Sequence, residues 1–449
     1  MFNNFIIIKS LYNMKYPRHK VFIPLMTLFM TFFRMLFGDI KKESAQTEKL
    51  ISIIKSYWVR KNCILMSTWR IGLYYTLKHL NLDKDDEIII TPLCIADTVN
   101  CIKLNNLSPI LVDLDINTHC ISITDLKKKI SKKTKVIHIT YLSGMVPDLE
   151  EILKICKEKN IKLIEDISQN YGARDTNNKL LGSQGHISVG SFSFGKCFAS
   201  IGGGFLITDD NQLFKKIKKD YYLNIKKVNR FFLIRHCFFQ LLAAIATSKY
   251  IFNFFTYYIF VLLIKTNKKI YDNFHKPKFR INSMSDYMLN SPVIREEWPN
   301  TIFWIFSDIH ATPAIKTYRL LDKGIEKRRY LARILIENIS EKVKSNIPTG
   351  SLDYNKSVYF HLVIYNNINN NKNDIYKFHR YLLANKIDAV GYGLYLINND
   401  SSLGLSEFKT PNAKYIKDNS IFIPMHESYE KNDMIYMAKI LNKYFDDQK

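Results

Sequence analysis

KLIEDISQNYGA, residues 162–173, and GSFSFGKCFASIGGGFLITDD, residues 190–210, decide how this chain is read. In the first stretch a short apolar run, Leu163 and Ile164, ends in two acids, Glu165 and Asp166, followed by Gln169. Ligands of open α/β sheets gather at the carboxyl ends of strands, so an acid at such an end can point into a site. Taken alone it is more readily the cap of the next helix. The second stretch reads as a strand, a turn carrying Lys196, three glycines (Gly202, Gly203, Gly204) and another strand. A lysine pinned between two strands among small and apolar residues would lose water, which lowers its pKa and frees a neutral amine for attack on a carbonyl. The glycines serve either a hairpin turn or the close approach of backbone to a bound group.

Working outward, strand-like and helix-like segments alternate from about residue 60. Strands are predicted at Glu87–Thr91, Ile110–Val112, Val136–Ile139, Lys162–Ile164, Ser188–Phe192 and Gly204–Thr208. Asp148 is a candidate N-cap for a helix through Lys157, with Leu149, Ile152, Leu153 and Cys156 at helical spacing. This is the pattern of a mostly parallel sheet covered by helices. The alternation stops near Lys219; an apolar, aromatic stretch from Phe231 to Ile264 follows, then a charged helical pattern from about Thr312 to Leu335 and a more polar α+β segment containing NNINNNKN, residues 366–373, read as a loop. The expected division is an N-terminal arm (1–59), a large domain (60–330) with an apolar insertion at about 225–275, and a small domain (331–449).

A chain of 449 residues, 47% of them hydrophobic, can bury a sizeable core. The net charge of +24 is spread along the whole chain, so we expect no nucleic-acid partner, while anionic substrates and lipid headgroups suit it. The seven cysteines (Cys63, Cys94, Cys101, Cys120, Cys156, Cys197, Cys237) are scattered and without ligand spacing, which points to a reducing compartment and no metal site. MFNNFIIIKSLYNMK at the start lacks a long apolar core and a small-residue cleavage site, so no secretory signal is expected.

E-D-x-x-Q-x-x-G-A at 165–173, then F-S-F, Lys196 and G-G-x-x-x-T-D-D at 203–210, resembles the DegT/StrS family of sugar aminotransferases. DEIIITP (86–92), SPILVDLD (108–115), TKVIHITYLSG (134–144), LLDKGIEKRRYLARIL (320–335) and PNAKYIKDNSIFIPMH (411–426) resemble further blocks of that family, in its order. The resemblance implies a pyridoxal 5'-phosphate protein of the aspartate aminotransferase fold: an α/β large domain with a mostly parallel seven-stranded sheet, and a smaller C-terminal α+β domain. It implies that Lys196 is the Schiff-base lysine, that Asp166 pairs with the pyridine nitrogen, and that Gln169 lies against the cofactor near its phenolic oxygen. Ser193 matches a phosphate ligand, and Ser67 and Thr68 the other phosphate ligands, opening a helix whose N–H groups and dipole suit a dianion. The chain departs from the family at Trp69-Arg70, where a glycine is usual, and Arg70 is an alternative partner for the phosphate. It departs again after Pro92, where Leu93-Cys94-Ile95-Ala96 offers no aromatic residue to stack on the ring. The turn before Lys196 is shorter than in the commonest members, and the Asn-Tyr-Arg loop lent to a neighbouring subunit is replaced by the apolar stretch.

The implied activity is transfer of an amino group, from L-glutamate, to a keto group of a nucleotide-activated sugar for surface polysaccharide synthesis, by a homodimer in the cytoplasm. Retention of Lys196 argues against the dehydrating relatives that carry histidine there. A non-catalytic, regulatory or membrane-associated protein on the same fold is the alternative, which Trp69 and the missing aromatic favour. The apolar stretch and VFIPLMTLFMTFF (21–33) raise a separate question. A spanning helix needs roughly 20 apolar residues, and Lys249 splits the longer stretch into shorter pieces. Basic flanks, Lys226, Lys227 and Arg230 before and Lys265, Lys268 and Lys269 after, suit a segment lying in the interface of an anionic inner leaflet; the other reading is a helical pair buried between subunits.

Overall fold

The structure, a computed structural model, describes residues 16–18, 20–40, 44–193, 195–226, 229–266, 295–299, 302–366, 372–391, 394–399 and 401–447. Most of the polar run at 367–371 and three of the predicted basic flanks, Lys227, Lys268 and Lys269, therefore lie outside the described residues.

The strands are β1 (Asn62–Met66), β2 (Glu87–Ile90), β3 (Leu93–Cys94), β4 (Ser108–Leu111), β5 (Thr134–Thr140), β6 (Lys162–Asp166), β7 (Ile187–Ser191), β8 (Gly204–Thr208), β9 (His361–Tyr365), β10 (Val390–Gly391), β11 (Tyr395–Leu396) and β12 (Ser420–Pro424). Seven of them form one sheet in the order β1-β8-β7-β6-β5-β2-β4. From β7 to β4 every pairing is parallel; β8 runs antiparallel to both β7 and β1. The predicted mostly parallel sheet is therefore present, each predicted strand within a few residues of its place. Of these seven, the strand that escaped prediction is β1, whose run NCILM has no alternation to mark it.

The helices used below are α1 (Leu25–Phe37), α2 (Ala45–Trp58), α3 (Trp69–His79), α4 (Ala96–Lys103), α5 (Ile123–Lys129), α6 (Leu149–Lys159), α7 (Asn211–Asn224), α8 (Arg230–Ala246), α9 (Lys249–Ile251), α10 (Tyr257–Thr266), α11 (Asp308–Asn338), α12 (Lys372–Ala384), α13 (Pro411–Asn419) and α14 (Lys431–Asp446). Asp148 caps α6 as predicted, accepting from the Glu151 amide. Central strands are buried on both faces, so β2 reads as continuous isoleucine, Ile88, Ile89 and Ile90, each fully buried. Burial of each such side chain is worth about 1.5–3 kcal/mol. One apolar cluster, with Ile89, Ile137 and Leu163, fills the face covered by α2, α6 and the first half of α11. The other, with Ile88, Ile90 and Ile164, fills the face covered by α3, α4 and α7.

Helix α11 begins at Asp308 rather than Thr312 and runs unbroken to Asn338. Its first part packs Ile315, Leu321 and Ile325 on the large sheet, and its last part packs Leu331 and Leu335 on a second core with the small sheet β10-β12-β9. Strands β3 and β11 pair antiparallel and tie the two halves together near the site. Helix α8 packs along α1, then the chain bends by 61° into the stretch from Lys249 to Leu263, which passes through a π turn at Phe252–Thr256 between α9 and α10. Among the described residues no single helix is long and apolar enough to cross a membrane.

Candidate active site

Register brings the candidate residues to one edge of the large sheet. Gly204 pairs with Met66 on one side and Ser191 on the other, and Asp166 pairs with Thr140 and Val189. The ends of β1, β7, β6 and β5 and the start of β8 thus share an edge, which carries Ser67 and Thr68, Ser191 to Ser193, Asp166 to Gln169, and Ser143. Lys196 sits in the β7–β8 connection at that same edge.

Glu165 and Asp166 are adjacent in sequence but point to opposite faces of the sheet, as successive strand residues must. Glu165 is consumed structurally: it accepts from Tyr141 Oη at 2.8 Å and from the amide of Gly182 at 2.6 Å. Asp166, 5% exposed, accepts from the Ser168 amide at 3.0 Å, and no helix follows it, so it is not a helix cap. The Lys196 side chain reaches a setting in which burial pushes its pKa below the usual lysine value, opposed by the negative charge of Asp166 and by Cys197. Its Nζ lies 5.2 Å from the centre of the Phe360 ring, which the second half of the chain brings over the site. That approach depends on Gly144: a Cβ there would stand 2.8 Å from the amides of Tyr359 and Phe360.

Gln169 is tied to the loop after β5, its Oε1 accepting from the Ser143 amide at 3.0 Å. Ser193 is exposed, its hydroxyl 2.8 Å from that of Ser191. The Lys196 amide donates to Ser193 O at 2.9 Å, closing the short turn between them. Thr68 caps α3, its hydroxyl accepting from the Ile71 amide, and the Ser67 amide donates to Tyr221 Oη at 3.0 Å. At Gly204 a Cβ would stand 2.5 Å from the Trp69 amide nitrogen, so the glycine lets β8 run against the start of α3. Trp69 itself is buried in the apolar cluster beneath α3. Arg70, the alternative phosphate partner, is engaged by an acid: its Nε lies 2.5 Å from Asp97 Oδ2.

Four residues of this region went unread in the sequence. His138 stands opposite Ile164, two residues before Asp166, and therefore on the same sheet face as Asp166. It is buried, both ring nitrogens lack a partner among the described residues, and burial holds it neutral against the pull of Asp166. Beside Lys196, a cavity of about 360 Å³ is lined by Lys20, Phe22, Cys197, Thr317, Arg328 and Glu427. Burial alone would raise the Glu427 carboxyl, but Arg328 and Lys20 outweigh it and hold it below the ordinary range. Phe360, Arg328 and Glu427 come from far along the chain; Arg328 lies inside and Glu427 beside a family-like block, while nothing in the sequence marked Phe360. No aromatic residue follows Pro92; Leu93 and Cys94 are spent in the pairing with Tyr395 and Leu396.

The model of the DegT/DnrJ/EryC1/StrS aminotransferase family matches residues 38–232, the stretch that holds Ser67, Thr68, Asp166, Gln169, Ser193 and Lys196. A GDP-perosamine synthase of Escherichia coli O157:H7 is 33% identical over 151 residues, 34% of this chain and 41% of that protein. A dTDP-3-amino-3,6-dideoxy-alpha-D-galactopyranose transaminase of Aneurinibacillus thermoaerophilus is 32% identical over 197 residues, 43% of this chain and 54% of that protein. The chain thus aligns with about half the length of these curated relatives. Across nearly the whole chain the fold matches Helicobacter pylori PseC, an aminotransferase involved in the biosynthesis of pseudoaminic acid, with a TM-score of 0.71 at 15% identity, covering 96% of this chain and 100% of that one. The resemblance read from the motifs around Asp166 and Lys196 therefore stands, and the architecture is that of the aminotransferases.

Proposed function

We propose that this chain is a pyridoxal-phosphate-dependent aminotransferase that moves an amino group, with L-glutamate as donor, to a keto group of a nucleotide-activated sugar for surface polysaccharide synthesis. The observation that carries the reading is that Lys196 and Asp166 meet at one sheet edge: an amine whose pKa burial lowers, within electrostatic reach of a buried carboxylate. The names of the two relatives, both enzymes of nucleotide-linked amino sugars, support the substrate class.

The residues present fit the cofactor. Asp166, with the unpartnered neutral His138 beside it on the same face, offers a negative, sparsely solvated wall for a protonated ring nitrogen. The start of α3 at Ser67 and Thr68, approached closely through Gly204, together with Ser193, would receive the phosphate. Gln169 would lie along the ring near its phenolic oxygen. When bound, the cofactor supplies an electron sink for the carbanion formed at the substrate carbon. The protein's part is then specific. Lys196, whose amine burial favours in its neutral form, would hold the cofactor, and its Nζ, once free, would take the proton from the donor's α-carbon as base and give it up again as acid. Asp166 would favour the protonated form of the ring nitrogen. Phe360 covers the Lys196 amine and limits the access of water. Lys20 and Arg328 line the adjoining cavity already paired with Glu427, so an anionic substrate group there would share them with that carboxylate.

The working form in this proposal is a homodimer, placed in the cytoplasm against the inner face of the membrane. The test is direct. Purified protein should be yellow, borohydride should bleach it and fix the cofactor to Lys196, and Lys196→Ala should yield no such adduct. Peptide mass spectrometry that finds the reduced cofactor on another lysine, or none on any, would overturn the reading.

A further inference from the structure

Helices α1 and α8 lie side by side and antiparallel. Arg230, at the start of α8, donates to Gly38 O just past the end of α1 at 2.8 Å, and Cys237 Sγ reaches Leu28 O at 3.8 Å. Their inner faces make a shared core in which Leu28 and Met35 meet Leu233, Cys237 and Leu241 over Ile201 and Ile309. The outer faces of a surface helix pair should be polar. Here they are not. On α1 the outward stripe is Met26, Met30, Phe33 and Phe37, spaced by one helical turn each, and Phe37 is 82% exposed. On α8 the stripe is Phe231, Arg235, Phe238, Leu242 and Ile245, with Phe239 beside it. After the bend the pattern continues: Phe252 and Tyr257 turn inward against Leu383, while Phe254, Phe255, Tyr258, Ile259 and Leu262 are exposed. An apolar surface of this extent marks a contact that the isolated chain does not make.

Charge decides what covers it. No Asp or Glu occurs from Met1 to Gly38 or from Tyr221 to Tyr271, the segments that build these helices, whereas Lys226, Arg230, Arg235, Lys249 and Lys265 lie in the second. Arg34, the one charge within α1, turns back to Asp308. Two copies of such a face would set like charges against each other, but an anionic leaflet would attract it. The amphipathic arrangement, with short helices, exposed aromatics and a basic margin, is that of a segment lying in the plane of a bilayer interface.

We propose that the outer faces of α1 and α8, continued by α9 and α10, seat this protein on an anionic bilayer surface, with Met30, Phe33, Phe239, Leu242 and Phe255 among the acyl chains and Arg230 and Arg235 at the headgroups. The inference rests on the inner-membrane placement above and deepens it by assigning the surface; it is independent of the chemistry at Lys196. The full chain is tested with vesicles of phosphatidylcholine alone and with added phosphatidylglycerol. It should float with the anionic vesicles, stay bound in high salt and come off in detergent. A Phe239→Trp reporter should shift its emission to the blue on those vesicles and be quenched by brominated acyl chains. A combined Met30→Ser, Phe33→Ser, Leu242→Ser, Phe255→Ser variant, checked for an unchanged thermal melt, should float about tenfold less. If the reporter is not quenched while the chain still floats, the surface assignment is overturned and the placement survives. If the chain floats with neither vesicle, both fail. If the combined variant turns a vesicle-free dimer into a monomer, the face is a subunit interface and the proposal is overturned.

Discussion

Arg295 reaches Asp97 across 198 positions of sequence, its Nε 2.8 Å from Oδ1, while Arg70 takes the other carboxylate oxygen. Asn100 adds a third contact at 2.9 Å, and all of this is buried at the root of α4, under the site-bearing edge. The arrangement gives Arg70 a structural partner. It also ties Arg295 to the start of α4 through Asp97 and Asn100.

Removing the acid should therefore be costly. Asp97→Asn leaves two buried guanidinium groups facing a neutral amide, a loss of about 3–5 kcal/mol by the usual scale for broken buried pairs. Urea titration should show the midpoint falling with the slope unchanged. Burial alone would raise the Asp97 carboxyl, but Arg70 and Arg295 together hold it below the ordinary value. Its folded pKa being below its unfolded one, its contribution is complete above the ordinary Asp range and disappears as pH falls through the folded value. A variant as stable as the parent at pH 7 would show that the cluster is incidental.

Lys196 titrates in the opposite sense. Its folded pKa is lowered, so the neutral amine is populated at pH values where a free lysine is charged, and stability rises with pH between the folded and unfolded values. The rate at which added pyridoxal phosphate is captured should reach its plateau below the ordinary lysine value of 10.5. Asp166→Asn, which removes the charge that opposes this shift, should move the plateau lower still. A plateau at or above the ordinary value would mean that the amine is solvated.

Turnover should respond to Asp166 more than binding does. Asp166→Asn should keep a measurable share of cofactor and lose most of the amino transfer, because an amide cannot hold the ring nitrogen protonated. Near-normal rates would reduce Asp166 to its local bond with the Ser168 amide.

Gly204→Ala places a methyl group 2.5 Å from the Trp69 nitrogen and 2.8 Å from Gly190 O, both backbone atoms that cannot swing aside. The structural cost should be about 1–3 kcal/mol, the range for overpacking. Because β8 and the start of α3 must then separate, affinity for inorganic phosphate and for the cofactor should fall together. A change in stability with cofactor affinity intact would detach this contact from phosphate binding.

The proposed homodimer is checked by sedimentation in detergent. A monomer that still turns over would refute it.

The sequence by itself determined most of the sheet and marked the two motifs that carry Asp166 and Lys196. Strands such as Ile88–Ile90 declare themselves because burial on both faces demands unbroken apolar residues, and the Asp166 and Lys196 motifs are local, each contained within a dozen residues or so of one strand end. Local order is what short stretches of sequence encode. The tertiary structure alone decided which acid of the Glu165-Asp166 pair joins the site face and which is spent on Tyr141, how Arg70 is engaged, that His138 shares the face of Asp166, that Phe360 lies over Lys196, and that Arg328 and Glu427 line a cavity with Cys197. It alone decided, too, that the two apolar segments, near residues 30 and 240, lie side by side with their outer faces uncovered. Those relationships depend on register and on packing between residues hundreds of positions apart, where no periodicity links one partner to the other.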